Sequence, residues 1–320
     1  MFSLVGNTPH VRFPHRELPH ATIHLKLEGC NPTGSIKDRA CVEILRSGSA
    51  SGKLKPGITL LDASSGNMAC AIAYYGRLLG CGATVVVSSK ITADKKNFIR
   101  YFGATLVQVG HFTIDGNRYC RELMDRHGTD TYWFLDQLHN WDNPKGHFQT
   151  TGPEIHRDFP DVAMIVGSLG SGGTMLGVGE YFRRHRPQVR IVTVQAAPGS
   201  KIPGAGTFDD GDYVTPFITK GIDKRIFDHA IKVTEAQALR GLMALRAQGV
   251  FCGPQTGAVL EAALTAAREL RVRGDIVLLS GDAGWKNTEK LMSTCGDEQS
   301  TVPIADPLEP ARVLTPPGPV

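Results

Sequence analysis

The chain has 320 residues, enough for two modest domains or one large domain with an insertion. With 41% hydrophobic and 21% charged residues it reads as a globular protein, neither disordered nor membranous. A net charge of +4 with no basic stripe speaks against nucleic acid, and no apolar run nears the roughly 20 residues of a membrane span.

The N-terminal run Met1–Asn7 lacks the charged and apolar regions of a signal peptide. Seven scattered cysteines without a CxxC pair argue against a disulfide framework or a structural zinc site, and point to a reduced, cytoplasmic setting. None of the eleven histidines forms an HExxH or a tight cluster with Asp or Glu, so no metal is expected, and residues such as His10, His15 and His20 read as surface positions. There is no GxSxG, which excludes Ser64 and Ser65 as a hydrolase nucleophile.

In chain order, the first informative segment is Asn31-Pro32-Thr33-Gly34-Ser35-Ile36-Lys37-Asp38-Arg39. A turn rich in Asn, Pro and Gly stops at a charged helical start, so the Lys37 amine can point from a rigid loop into a cleft as a nucleophile toward an aldehyde. A surface lysine on a turn is the alternative. Apolar, β-branched runs then predict strands over 58–62, 83–88, 104–109, 163–167, 189–195 and 275–280. Between them, helical patterns run over 68–79, 95–102, 173–184, 235–248 and 257–271. Alternating β and α with continuously apolar strands means mostly parallel sheets covered on both faces, with ligands beyond the strand C-termini.

Two glycine- and serine-rich turns occupy that position. Ser64-Ser65-Gly66-Asn67 offers a helix N-terminus with hydroxyl and amide donors that suit a carboxylate or a ring oxygen; capping of the helix by Ser65 or Asn67 is the structural alternative. Gly170-Ser171-Gly172-Gly173-Thr174 lets backbone N–H groups converge at a second helix N-terminus, a phosphate cradle by its physics, though tight turns also use glycine for steric reasons. It is neither GxxxxGK[ST] nor a first-strand GxGxxG. The domain change is placed near Asn143-Pro144, and the proline-rich tail from Thr301 is expected to be poorly ordered or a flap.

These pieces, with Val5-Gly6-Asn7-Thr8-Pro9, Lys26-Leu27-Glu28, Asp136-Gln137 and Thr150–Ile155, follow one another as in a known family. From Val5 to about Lys286 the chain resembles the cysteine synthase and cystathionine β-synthase group of pyridoxal-phosphate enzymes, fold-type II, similar to the tryptophan synthase β chain. The resemblance implies two three-layer α/β domains, each with a mostly parallel sheet, and an active site in the cleft between them. The smaller domain would comprise 32–143, the larger 1–31 with 144–310, and 311–320 would be a flexible tail. It further implies a homodimer with a small amino-acid substrate and a small nucleophile.

By the same resemblance, Lys37 would hold pyridoxal 5'-phosphate as a Schiff base and then act as the base for the α-proton. Asn67 would bond the ring hydroxyl, and Gly170, Ser171, Gly172, Gly173 and Thr174 the phosphate. Ser64, Ser65, Gly66 and Met68 would form the substrate-carboxylate loop with Gln137 opposite, Ser65 also serving catalysis. Three departures stand out. Met68 replaces the family's threonine and cannot donate a hydrogen bond. Gly253-Pro254-Gln255-Thr256-Gly257 stands where the family has Gly-Ile-Ser-Ser-Gly, which implies that Gln255 or Thr256 would meet the pyridine nitrogen. Asp282-Ala283-Gly284-Trp285-Lys286 resembles the branch that uses O-phosphoserine, with Lys220, Lys224 and Arg225 available for a phosphate leaving group.

The expected reaction is β-replacement on O-acetyl- or O-phospho-L-serine through an aminoacrylate, with sulfide giving cysteine. The alternatives are an amine or other nucleophile giving a diaminopropionate-type product for secondary metabolism, or a serine/threonine dehydratase-type lyase. A non-catalytic binding protein on the same scaffold would be expected to have lost Lys37.

Overall fold

The computed structural model describes residues 2–15, 18–64, 66–89 and 91–295, with the backbone of Val313–Leu314. Four parallel strands form one sheet: β3 (Thr59–Ala63), β4 (Gly82–Val87), β5 (Thr105–Gln108) and β6 (Tyr132–Phe134), in the order β5-β4-β3-β6. The other sheet has seven strands: β1 (His10–Phe13), β2 (Ala21–Leu27), β7 (Val162–Ser168), β8 (Arg190–Ala196), β9 (His229–Val233), β10 (Gly274–Ser280) and β11 (Val313–Leu314). Its order is β11-β1-β2-β10-β7-β8-β9, parallel from β2 to β9 and antiparallel at β1 and β11. The tail expected over 311–320 lies outside the described residues except for β11, which pairs with β1.

Helices α1 (Lys37–Ala50), α2 (Asn67–Leu78), α3 (Ala93–Tyr101) and α4 (Thr113–His127) accompany the four-stranded sheet. The seven-stranded sheet carries α5 (Asp142–Gln149), α6 (Thr151–Asp158), α7 (Gly173–His185), α8 (Pro216–Asp223), α9 (Glu235–Ala247), α10 (Pro254–Glu269) and α11 (Thr288–Cys295). The periodic segments form for ordinary reasons. Thr234 and Gln237 close a capping box on α9, and Pro254 supplies the preset φ of the first position of α10. Apolar residues line both faces of each sheet: Leu60, Val85 and Val87 pack against α2, while Leu61 and Val86 pack with Cys120 of α4. The expected domain change at Asn143-Pro144 falls inside α5, which packs on both α1 and α7. Among the described residues no helix is long and apolar enough to cross a membrane.

His10, expected at the surface, is buried in β1 with its ring 4.6 Å from that of Phe159. Apolar partners distant in sequence, which a local reading does not see, account for the difference.

Beneath the start of α1 lies a buried cluster of four charges. The Arg39 guanidinium donates to Glu28 through Nε (2.6 Å) and Nη2 (2.8 Å), and to Glu154 through Nη1 (2.7 Å) and Nη2 (2.8 Å). Lys26 Nζ pairs with Glu154 at 2.8 Å, while the Thr8 hydroxyl and the Asn31 amide donate to Glu28 at 2.7 and 2.8 Å. Two cations meet two anions, so the cluster is neutral, and every carboxylate oxygen has a partner. Although burial opposes ionisation, the adjacent Arg39 and Lys26 hold the Glu154 carboxyl down at about 2. A depressed carboxyl contributes stability that is full above its unfolded value of 4.5 and is lost as pH falls toward 2. Glu154→Gln should therefore cost about 3–5 kcal/mol in urea unfolding at pH 7, the scale for breaking a buried ion pair. The wild type should lose stability across that acid window more steeply than the variant.

Candidate active site

Lys37 is the first residue of α1, and its loop is braided with a segment some 245 positions later. Ile36 N–H donates to Gly281 O at 2.9 Å, Ala283 N–H to Gly34 O at 3.0 Å, and Lys286 Nζ to Thr33 O at 2.6 Å. Asp38 accepts from the Thr33 hydroxyl (2.7 Å) and from Tyr75 OH (2.6 Å), which completes a rigid mount. The Lys37 side chain crosses to the other sheet, its Nζ donating to Ser171 Oγ at 3.3 Å. Desolvation pulls its pKa down to about 8, with the Asp62 carboxyl opposing the shift. Asp62 is itself pushed well above the carboxylate range by burial and by Asp136, and its Oδ2 has no partner among the described residues. An amine with a pKa near 8 is in part a free base at neutral pH.

Ser171 lies in the turn between β7 and α7. Gly172, at φ +83°, caps α7; a Cβ there would stand 2.6 Å from Ile218 Cγ1 and would also strain the backbone. Gly170 faces open space, with only Gly204 O, at 3.6 Å, near the position of a Cβ. Asn143 Nδ2 donates to Ser171 Oγ (3.2 Å) and Gln137 O (2.8 Å), and the Thr215 hydroxyl donates to Ser171 O at 2.6 Å. Thr174 Oγ1 is 3.1 Å from Nε2 of the fully buried His147, whose Nδ1 is 2.9 Å from Thr151 Oγ1. Desolvation, then the charges of Arg39 and Lys37, keep His147 well below its ordinary pKa and so neutral.

Opposite stands the turn after β3. Ser65, expected to bind substrate and assist catalysis, lies outside the described residues. Ser64 Oγ accepts from Gly66 N–H at 3.2 Å, and Gln137 Nε2 donates to Ala63 O at 2.6 Å, so Gln137 braces this turn. The capping expectation is corrected for Asn67: Gly66, at φ +153°, is the cap, and no side chain among the described residues caps α2. Asn67 is instead the first helical residue, and its Nδ2 donates to Asp282 Oδ2 at 2.9 Å, outside the helix. The Met68 thioether, which has no hydrogen to donate, is turned away from the turn. Met68 is 1% exposed in the apolar core beside Ile72 and Val87, leaving its backbone amide as the group a carboxylate could meet.

Gln255 and Thr256 begin α10. Gln255 Oε1 accepts from Ser168 Oγ at 2.6 Å and its Nε2 donates to Asp282 Oδ1 at 3.3 Å, whereas Thr256 Oγ1 is 3.1 Å from Ser280 Oγ. Lys220 is engaged elsewhere, paired with Glu180 at 2.6 Å in the later half of α7. His147 and Asp282 escaped the sequence reading as site residues. A lone histidine carries no local signal beyond its spacing of four from Thr151, and Asp282 stood out only as part of a five-residue likeness.

A group bearing an aldehyde, a phosphate and a polar ring can be tested against these residues. The α7 N-terminus, Ser171 and Thr174 supply the donors of a dianion site around an open Gly170. Lys37 supplies a partly free amine beside it. Asn67 Oδ1 and Asn143 Oδ1 are buried with no partner among the described residues, so the site has polar capacity left over. The residues fit pyridoxal phosphate.

Residues 1–282 match the family described as pyridoxal-phosphate dependent enzyme. Cysteine synthase B of Pseudomonas aeruginosa is 33% identical over 291 residues, covering 87% of this chain and 95% of that protein. O-ureido-L-serine synthase of Streptomyces lavendulae is 30% identical over 298 residues, covering 91% and 90%. A crystal structure of O-ureido-L-serine synthase superposes with a TM-score of 0.84 at 28% identity, over 94% of this chain and 96% of that one.

With its pKa near 8, Lys37 should be labelled by a small amine-reactive acylating agent in the cofactor-free protein. Its labelling rate should rise through pH 8 and level off above it, while exposed lysines keep rising toward pH 10. Peptide mass spectrometry across a pH series reads this, and a Lys37 rate still climbing beyond pH 9 would remove the free-base argument.

Proposed function

Because the chain belongs to the pyridoxal-phosphate dependent enzymes, we propose that it replaces the β-substituent of an O-activated L-serine, with sulfide as nucleophile and cysteine as product. The observation that carries this reading is the Lys37 amine, loop-mounted, with a lowered pKa, and in contact with Ser171 of the phosphate cradle. The cleft is read as lying between a smaller unit, 32–143, and a larger one, 1–31 with 144–310. The same reading takes in a homodimer in the cytoplasm.

In this reading Ser171, Thr174 and the backbone of Gly170, Gly172 and Gly173 hold the phosphate, with neutral His147 fixing the Thr174 hydroxyl. Asn67 meets the ring hydroxyl and Gln255 the ring nitrogen. When bound, pyridoxal phosphate supplies an electron sink for the α-carbon and so allows the β-substituent to depart. The Lys37 Nζ takes the α-proton and carries it, which a pKa near 8 permits near neutral pH. Ser64, Ser65, Gly66 and the Met68 amide bind the substrate carboxylate at the α2 N-terminus, and Gln137 holds the turn in place. Closing of that turn excludes water, which favours a waiting nucleophile over hydrolysis to pyruvate.

A second reading is favoured by the buried Met68 and by Gln255 in place of serine: an amine or other small nucleophile instead of sulfide. The likeness to O-ureido-L-serine synthase, 30% identical, supports a specialised product of this kind. A dehydratase-type lyase is the third.

Purified protein loaded with the cofactor should consume O-acetyl- or O-phospho-L-serine and, with sulfide, yield cysteine by mass spectrometry. Lys37→Ala should lower the rate at least a thousandfold. Pyruvate and ammonia at the same rate with or without a nucleophile would instead establish the lyase, and turnover only with an amine or N-hydroxy nucleophile the specialised synthase. No turnover of either donor with any nucleophile would sink β-replacement.

A further inference from the structure

Asp282 is the point where the two sides of the site are tied together. Its backbone forms an antiparallel bridge with Ser35 of the lysine loop and accepts from Gly253 N–H at 3.0 Å, just ahead of α10. Its side chain is 3% exposed and accepts amide hydrogens from three separate elements. These are Asn67 Nδ2 at the start of α2 (2.9 Å), Gln255 Nε2 in the first turn of α10 (3.3 Å), and Asn287 Nδ2 of the short 3-10 turn Gly284–Asn287 (3.2 Å). Asn287 Oδ1 in turn accepts from Lys95 Nζ at 3.2 Å, and the Lys95 stem lies against Gly66, its Cδ 2.5 Å from where a Cβ would be.

An ionised carboxylate accepts and cannot donate, whereas a side-chain amide carries a donor on one arm and an acceptor on the other. Any amide facing Asp282 must therefore present its NH2. That removes the ambiguity of orientation for both Asn67 and Gln255. The Gln255 carbonyl is turned to the Ser168 hydroxyl, and the Asn67 carbonyl is left buried without a partner among the described residues. One acceptor thus fixes the donor and acceptor sense of two side chains, one from the four-stranded side and one from the seven-stranded side.

We propose that Asp282 is a positioning residue for the cofactor ring: it holds the amides of Asn67 and Gln255 in a single orientation, and so sets the hydrogen bonding at the ring oxygen and the ring nitrogen together. The proposal rests on the reading of Asn67 and Gln255 as ring contacts. Asp282→Asn keeps the shape but supplies one donor arm and one acceptor arm, so one of the two amides must turn over or lose its bond. Ring hydrogen bonding then becomes mixed.

The test uses absorption spectra and cofactor titrations of wild type, Asp282→Asn, Asn67→Ala, Gln255→Leu and Asn287→Ala, none of which depends on turnover. Asp282→Asn should move or split the visible band of the Lys37-bound cofactor and weaken its binding about tenfold to a hundredfold, the scale of lost hydrogen bonds to a charged group. Asn67→Ala and Gln255→Leu should each reproduce part of that change. Added to Asp282→Asn, either should do less than it does alone. Asn287→Ala loosens the same carboxylate without touching either proposed ring contact, and should keep the wild-type band.

A wild-type spectrum for Asp282→Asn, or the same shift from Asn287→Ala, would overturn the proposal. If Asn67→Ala and Gln255→Leu leave the band unmoved while Asp282→Asn moves it, positioning through these two side chains is likewise overturned. A wild-type protein that never binds the cofactor would strike at the reading of function instead. A measurement needing no variant is hydrogen exchange of side-chain amides by NMR: those of Asn67 and Gln255 should exchange slowly, and rates like those of surface amides would count against the proposal.

Discussion

The position of the reactive lysine depends on a guanidinium two residues along the same helix. Arg39 is gripped by Glu28, just past β2, and by Glu154 of α6, so the first turn of α1 is fixed in translation and rotation against the seven-stranded side. Removing four charges from water is expensive, and apolar residues of similar volume could stabilise as well. What an apolar patch would not supply is direction. A bidentate fork on each carboxylate admits one geometry, and Lys37 inherits that precision.

Above that cluster the site works largely with neutral donors. The phosphate cradle uses backbone amides, Ser171 and Thr174, and the imidazole behind Thr174 is kept uncharged by burial and by its cationic neighbours. The same desolvation that lowers the Lys37 amine keeps His147 from competing for its proton. Burial, rather than a dedicated base, is what makes the lysine useful.

Much of this architecture is written locally in the chain. The runs predicted over 58–62, 83–88 and 275–280 match β3, β4 and β10 to within a residue, because continuously apolar, β-branched strands can only sit between covered faces. The turns at 31–37 and 170–174 stand out since their glycines serve backbone geometry. What could not be read locally depended on distant partners. The short strand β1 is followed closely by Pro14 and Pro19 and takes its definition from β2 alongside it. The apolar face of α4, where Cys120, Leu123 and Met124 pack, sits in a run otherwise rich in charge, and Asn67 could be told from a cap only once Asp282 was in place. That Met68 cannot donate from its side chain is plain from its chemistry, whereas the burial of its thioether follows from helical rotation into the core.

The braid between the lysine loop and residues 281–286 also sets an order of events during synthesis. Lys286 and Thr33 are 253 positions apart, so the mount of Lys37 stays incomplete until residue 286 has left the ribosome. At about 5–20 residues per second, the lysine waits roughly 13–50 s for its last supports. During that interval the nascent chain carries an exposed, ordinary amine with no settled cleft around it. Competence to capture an aldehyde therefore comes only after residue 286 has emerged, and a product terminated before it would lack it.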